Sequence, residues 1–328
     1  MQYTIRHVTR FIYDSPITES VMEARVQPRS EGAQRCVRFN LSTTPIARVR
    51  MYQDHDGNIV HHFNIPGRLS RLTVVADALV ECGPLAKVPA ALGDGAWERL
   101  DAATASGAFW ELLHPSPFAR PTERLEHFAR DLDMKRGEDP LATVRRINAE
   151  LFDRLTYSPK STRVDSPIDD ALESRKGVCQ DFTHIMIALV RQLGIPCRYV
   201  SGYLFHQPDG DVRSPDGSTH AWGEAWLPDL GWTGFDPTNN LVADHRHIRV
   251  AVGRDYADVP PTRGVFKGSS AARSELSVAV RVGTAGQAGQ SMTAHEVPTH
   301  MPWVSREVPS SLPRPDLAQQ QQQQQQQQ

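Results

Sequence analysis

The side chains best suited to covalent chemistry stand in three short stretches: Cys179 in "RKGVCQDFTH", His220 in "HAWGEAW" and Asp236 in "GWTGFDPT". A thiol at its ordinary pKa of about 8.5 is only a few per cent thiolate at neutral pH, so a nucleophilic cysteine needs a local field that favours the anion. The first turn of a helix supplies part of that field through its free amides and the positive end of its dipole. Cys179 opens an apolar stretch, "IMIALVRQLGIPCRYVSGY", that reads as helix from about Gln180 to Leu193, closed by Gly194 with Pro196 two residues on. An imidazole is the second requirement. His220, opening one strand, offers the base, and Asp236, ending the next, offers the carboxylate that orients it. If the hairpin between them turns over Leu227 to Asp229, His220 lies directly opposite Asp236 and on the same face; a four-residue turn slides them apart.

Neighbouring residues have plainer readings. Asp181 can accept first-turn N–H groups, and its charge would oppose a thiolate if it pointed at the sulfur, so it reads as structural. His184 lies more than one turn beyond Cys179 and reads as a packed or surface helix residue. Trp222 and Glu224 share a strand face with His220 and are candidates for the wall of a site. Packing is nevertheless the heavier reading for Trp222 and Trp226, and a buried polar network for Glu224. His61 and His62 in "HHF" face opposite ways and do not suit one metal. Cys36, Cys82 and Cys197 read as core or strand residues. They form no C-x-x-C pair, so neither a disulfide framework nor a zinc site is indicated, and reduced thiols are expected.

These residues need a framework. With 328 residues, 39% hydrophobic and 23% charged, the chain is long enough for one large or two smaller domains. A formal charge of -2 gives no basic field, so neither nucleic acid nor an anionic membrane is suggested as partner. No run of eighteen apolar residues and no signal core precede the first strand pattern, which makes a cytosolic location the expectation. Residues 1–85 read as a β-rich domain, with "YTIRHVTRFIY", "RCVRFNLSTTP", "ARVRMYQDHDGNIVHHFNI" and "RLTVVADALVEC" as strands and Asp56-Gly57-Asn58 as a hairpin turn. Residues 86–282 read as a second unit. A connector, "GPLAKVPAALGDGA", leads to helical spacings in "ERLDAATASGAFWELLH", "PTERLEHFARDL" and "PLATVRRINAELFDRL". Beyond the cysteine helix, "CRYVSGYLF", "HAWGEAWL" and "GWTGFDPT" read as strands. "RHIRVAVGRDYADVPPTRGVFKG" reads as a loop returning to a last strand near Val282. Residues 283–328, ending in a glutamine run from Gln319, are expected to be a disordered tail.

In this order and spacing, "RKGVCQDFTH", "HAWGEAW" and "GWTGFDPT" resemble the three core motifs of the transglutaminase-like superfamily of papain-fold enzymes. "YTIRHVTRFIYDSPI", "DHDGNIVHHF" and "GRDYADVPPTRGVFKG" are similar to the bacterial branch in which a β-rich region precedes that core. The resemblance spans about residues 1–282. It implies an α+β fold, a cysteine-bearing helix packed on an antiparallel sheet, with Cys179 as nucleophile, His220 as base and Asp236 as orienter. The implied chemistry is attack on a peptide or carboxamide carbonyl to give a thioester. Members of the branch are often suspected to be cysteine proteases, and some are encoded beside ATP-grasp proteins thought to make peptide-like products. The substrate expected is therefore a peptide or protein amide, with no cofactor.

Departures from the pattern bear on the reaction. Transglutaminases proper carry a Trp three residues before the His and another well before the Cys, lining a channel for the acceptor amine. This chain has Gly217 at the first position and no Trp between Trp110 and Trp222. A thioester without a water-excluding channel mostly hydrolyses, which puts a hydrolase ahead of an amine transferase and a non-catalytic binding module last. The same absence removes the family's side-chain oxyanion donor, leaving the Cys179 backbone N–H and, as candidate partner, Tyr157 in "LTYSP". No acidic calcium loop is present in the sequence.

Overall fold

The computed structural model describes residues 1–207, 212–269 and 273–285, and the backbone alone of 304–305. Among the described residues, two large sheets, a two-stranded parallel pair and a group of helices make up the fold. The N-terminal sheet is built on β1 (Gln2–Ala24) and β4 (Ile59–Cys82), with β2 (Gln34–Thr44) and β3 (Arg50–Gln53) both on β4. Alternating apolar residues explain the strands: Tyr3, Ile5, Leu72, Val74 and Val80 are all buried. The Asp56-Gly57-Asn58 turn is present, Gly57 supplying a φ of 74°. The segments read as two strands on either side of "PGR" are one long strand, β4. Its pairing with β1 slips between Ile12 and Glu19, across a stretch that holds Pro16 on β1 and Pro66, paired with Glu19, on β4; a proline offers no ladder N–H, so the register shifts there without the pair ending.

Between the sheets run α1 (Ala96–Thr104), α2 (Trp110–Leu113), α3 (Glu123–Asp131), α4 (Pro140–Arg154), β5 (Thr156–Tyr157), α5 (Ile168–Ser174) and β6 (Lys176–Gly177). Start signals are visible: Thr122 accepts the Leu125 N–H at 3.2 Å, and Asp139 caps Ala142 at 2.9 Å with Pro140 at the first helical position. Then comes α6 (Cys179–Gln192). It is apolar on nearly every side, and Phe182, Ile185, Met186, Ile187, Leu189 and Val190 are each fully buried, as expected for a central core helix. Each such side chain contributes about 1.5–3 kcal/mol on burial. Gly194, φ 79°, closes the helix.

The second sheet runs in the order β10 (Leu241–Val242), β9 (Gly231–Asp236), β8 (His220–Leu227), β7 (Cys197–Leu204), β11 (His247–Gly253). Helix α6 lies close on it because β8 presents Ala221, Gly223 and Ala225: a Cβ on Gly223 would already sit 3.5 Å from the Met186 sulfur. The segment read as a returning loop holds β11 and β12 (Thr262–Lys267). Ile248, Val250 and Val252 are a strand pattern that the surrounding charges obscure. β12 and β13 (Ser274–Thr284) both pair with β1, so strands placed by sequence in the 86–282 unit complete the N-terminal sheet. In the tail expected from residue 283, β13 continues through Thr284 and β14 (Val304–Ser305) pairs with Glu275 and Leu276. The remainder of that tail, with its glutamine run, lies outside the described residues. Among the described residues, no helix is long and apolar enough to cross a membrane.

Candidate active site

Cys179 is the first residue of α6 and is partly exposed. Its seat is shaped by Gly177 and Asp181. Asp181 Oδ2 accepts the Val178 N–H at 2.8 Å and the Thr162 hydroxyl at 2.5 Å, turning its charge back on the chain before the helix. A Cβ on Gly177 would lie 2.9 Å from the Asp181 Cβ, which is why the position before Val178 is glycine. Gln180 donates to the Val164 carbonyl at 2.8 Å and ties the 158–167 loop over the helix start. Burial raises the Asp181 pKa; the Thr162 and Val178 donors work against that. His184 is packed, not a base: it is buried, stacks on Phe118 at 5.2 Å and accepts the Tyr256 N–H at 3.2 Å, and burial takes its pKa down to about 3.

His220 and Asp236 meet. His220 Nε2 donates to Asp236 Oδ2 at 2.7 Å, both side chains being buried. The hairpin reaches this by another register than the one expected. Its loop does hold three residues, but they are Pro228 to Leu230, with Asp229 at φ 65° and Leu227 paired to Gly231. That frame slides β9 by two residues relative to direct opposition of His220 and Asp236. A slide of two keeps both side chains on one face, so the bond forms diagonally.

Burial disfavours a charged His220, yet the Asp236 charge and hydrogen bond, followed by those of Cys179, hold its pKa up to about 10. Cys179 therefore bears directly on this ring, whose Nδ1 is buried without a well-formed hydrogen bond to any described residue. Asp236 is the counterpart: burial works to raise its pKa, but the His220 charge and the hydrogen bonds of His220 and His247 keep it well below the carboxylate range. Its oxygens are saturated. Oδ1 accepts the Thr238 and Asn239 N–H groups at 3.1 and 3.3 Å; Oδ2 accepts Asn239 Nδ2 at 2.7 Å and His247 Nε2 at 3.2 Å besides His220. Asn239 Oδ1 accepts the Arg213 and Ser214 amides, which fixes its NH₂ toward the carboxylate.

Tyr157 pairs with Gly177 through the parallel β5–β6 bridge and sits half-buried near the thiol. Desolvation, then the charges of Cys179 and Asp181, push its pKa up, so the hydroxyl stays protonated and can donate. Trp222 and Glu224 are both fully buried; the Trp222 ring lies 6.1 Å from that of His220, while Glu224 serves a polar network. The Trp222 ring is held between Gly202 and Gly234, where Cβ atoms would fall 2.6 and 3.3 Å from it, and stands edge-on to His247 at 5.2 Å. Glu224 bonds Arg198 at 2.7 Å and also Arg249, the polar network expected for it. Sequence reasoning missed Asn239 and His247. The pattern of "HIRVAVG" could have shown a strand starting at that histidine. His220, Asp236 and His247 have ligand-type atoms within 4.8 Å of one another, but hydrogen bonds join those atoms, and a cation would have to replace the protons.

Comparison with known proteins agrees with this arrangement of elements. Residues 126–237 match the transglutaminase-like superfamily core and residues 3–81 the bacterial transglutaminase-like N-terminal region. An uncharacterized protein of Mycobacterium leprae is 34% identical over 84% of this chain and 96% of its own length. The chain belongs to the transglutaminase-like superfamily. A crystal structure of a candidate cysteine protease from Cytophaga hutchinsonii matches 89% of this chain and 92% of that one with a TM-score of 0.64 at 22% identity, a likeness of fold. A protein-glutamine gamma-glutamyltransferase of Pseudomonas aeruginosa is 34% identical over 31% of this chain and 16% of its own length.

Proposed function

We propose that this protein is a cysteine hydrolase that cleaves an amide, peptide or isopeptide bond through a Cys179 thioester. The observation that carries the reading is the His220 ring, bonded at 2.7 Å through Nε2 to a buried, saturated Asp236 and influenced by the partly exposed Cys179 thiol at a helix start. The Cys179 thiolate attacks the carbonyl carbon, and the Cys179 backbone N–H with the Tyr157 hydroxyl stabilises the oxyanion. The C–N bond breaks as the His220 imidazolium protonates the leaving amine. Neutral His220 then takes a proton from water, whose oxygen attacks the thioester; the acid leaves and the thiolate–imidazolium pair returns. Asp236 holds the ring and its charge throughout. That all four cysteines are free suits such a nucleophile and a reducing, cytosolic setting.

A second reading has its own support. The partial likeness to the Pseudomonas glutamyltransferase favours transfer of the acyl group to an amine. Gly217, where transglutaminases carry a channel Trp, favours water. Incubation with a peptide-amide library in hydroxylamine decides: free acid as the main product supports hydrolysis, and predominant hydroxamate reverses the order. Loss of either product in Cys179→Ala is required, and a binding module would give neither.

A further inference from the structure

The activity proposed above uses one imidazole, but a second shares its carboxylate. His247, first residue of β11, is buried and places Nε2 3.2 Å from Asp236 Oδ2. Its other nitrogen faces Asp244: Nδ1 lies 3.2 Å from the Asp244 backbone nitrogen and 3.4 Å from Asp244 Oδ1, while Nε2 faces a carboxylate oxygen that can only accept, so Nε2 is the donor. Asp244 is itself fixed: its carboxylate accepts the Arg246 N–H at 2.8 Å and the Arg246 guanidinium at 2.9 Å.

We propose that His247 is a positioning residue: an imidazole held on its Nδ1 side by Asp244, which donates from Nε2 to Asp236 Oδ2, keeps that oxygen on the axis to His220 and shields it from water. The proposal rests on the thiol-enzyme reading. Three N–H groups converge on Oδ2, from His220, His247 and Asn239. Shielding follows from what lies behind. His247 lines a narrow cleft there with Gln34, Cys82, Trp222 and Asp244, residues contributed by both sheets and their loops. Cutting the ring back opens that cleft to the carboxylate, and hydration weakens the field a buried Asp236 exerts on His220. The N-terminal sheet, through Gln34 and Cys82, thereby closes the back of the site.

Two measurements test this. In ¹⁵N-histidine-labelled protein, His247 should show a protonated Nε2; an Nε2 without a proton overturns the proposal. Iodoacetamide labelling across the pH range, read cysteine by cysteine by mass spectrometry, then compares His247→Ala, His247→Asn and His247→Gln. A Gln amide donates from near the place of Nε2, whereas an Asn amide falls short, so reactivity of Cys179 at about pH 6 should drop about tenfold in the Ala and Asn variants and be restored by Gln. Protected Cys82 and Cys197 report that the fold is intact. A folded Ala or Asn variant with unchanged Cys179 reactivity overturns the role of His247 alone. A wild type in which Cys179 reacts no faster than Cys36 at that pH overturns the thiol-enzyme reading itself.

Discussion

Asp236→Asn changes one atom type at the point where the site is most tightly specified. The carboxylate accepts five N–H groups, three on Oδ2 and two on Oδ1. An asparagine must turn its own NH₂ toward one of those sets, so donor meets donor in a buried place whichever way it flips. The larger effect is on His220. Its rise from 6.5 to about 10 corresponds to about 5 kcal/mol in favour of the cation, from Asp236 first among the raising groups and Cys179 after it. With the first of those raising groups removed, the thiolate–imidazolium pair should weaken on the order of 100-fold. Labelling of Cys179 by iodoacetamide at about pH 6 should slow by that factor, while near pH 10, where any thiol ionises, the variant should approach wild type. Urea unfolding should show a loss of about 3–5 kcal/mol, the cost of breaking a buried pair. An Asp236→Asn protein that is folded and labels at about pH 6 within twofold of wild type would refute the reasoning.

Other expectations follow from the same contacts. Gly177→Ala forces a Cβ to within 2.9 Å of Asp181 and should cost about 1–3 kcal/mol in thermal or urea melts; an unchanged midpoint would show that the helix start is not tightly seated. Glu224→Ala leaves Arg198 and Arg249 buried without their anion and should cost about 3–5 kcal/mol, with Glu224→Gln milder, and a neutral result in equilibrium unfolding contradicts the network. His7 and His184 are held neutral by burial, at about 4 and about 3, against an ordinary 6.5. The unfolded chain therefore gains protons that the folded chain refuses, and stability should fall as pH drops from about 6.5 toward 4, by ~1.4 kcal/mol per pH unit per ring. His7→Phe should remove about half of that slope. His220 acts on the other flank: raised to about 10, it contributes stability that is complete below about 6.5 and lost as pH rises toward 10, so a Cys179→Ala, His220→Gln double variant should flatten the alkaline limb.

Much of this arrangement was readable because its signals are local. Cys179 at a helix start, the Gly194 stop and the three strands after it depend on spacing and caps that lie within a few residues of the feature. The cross-chain facts were harder. A three-residue loop was expected, but its frame turns on Asp229 adopting a left-handed φ before Gly231, and a shift of one residue in the turn moves the partner by two. The parity survived, so the candidate pair was right for a register that was wrong. Trp222 shows a different limit. Alternation puts it on the His220 face, but only the glycines at 202 and 234, on two other strands, reveal that the ring is sunk between them. His247 was hidden by charges around a strand whose partner, β7, lies far back in the sequence. β12 and β13 were likewise assigned with their neighbours in the chain, because nothing local says that they return to β1.

The account rests most directly on the ionisation of Cys179. Thiolate absorbance in the ultraviolet, taken as wild type minus Cys179→Ser and titrated with pH, isolates that one sulfur. A thiolate signal that moves to higher pH in His220→Gln is the predicted result, for an anion sustained by the imidazolium. A titration of that sulfur that is the same with or without His220 would contradict it.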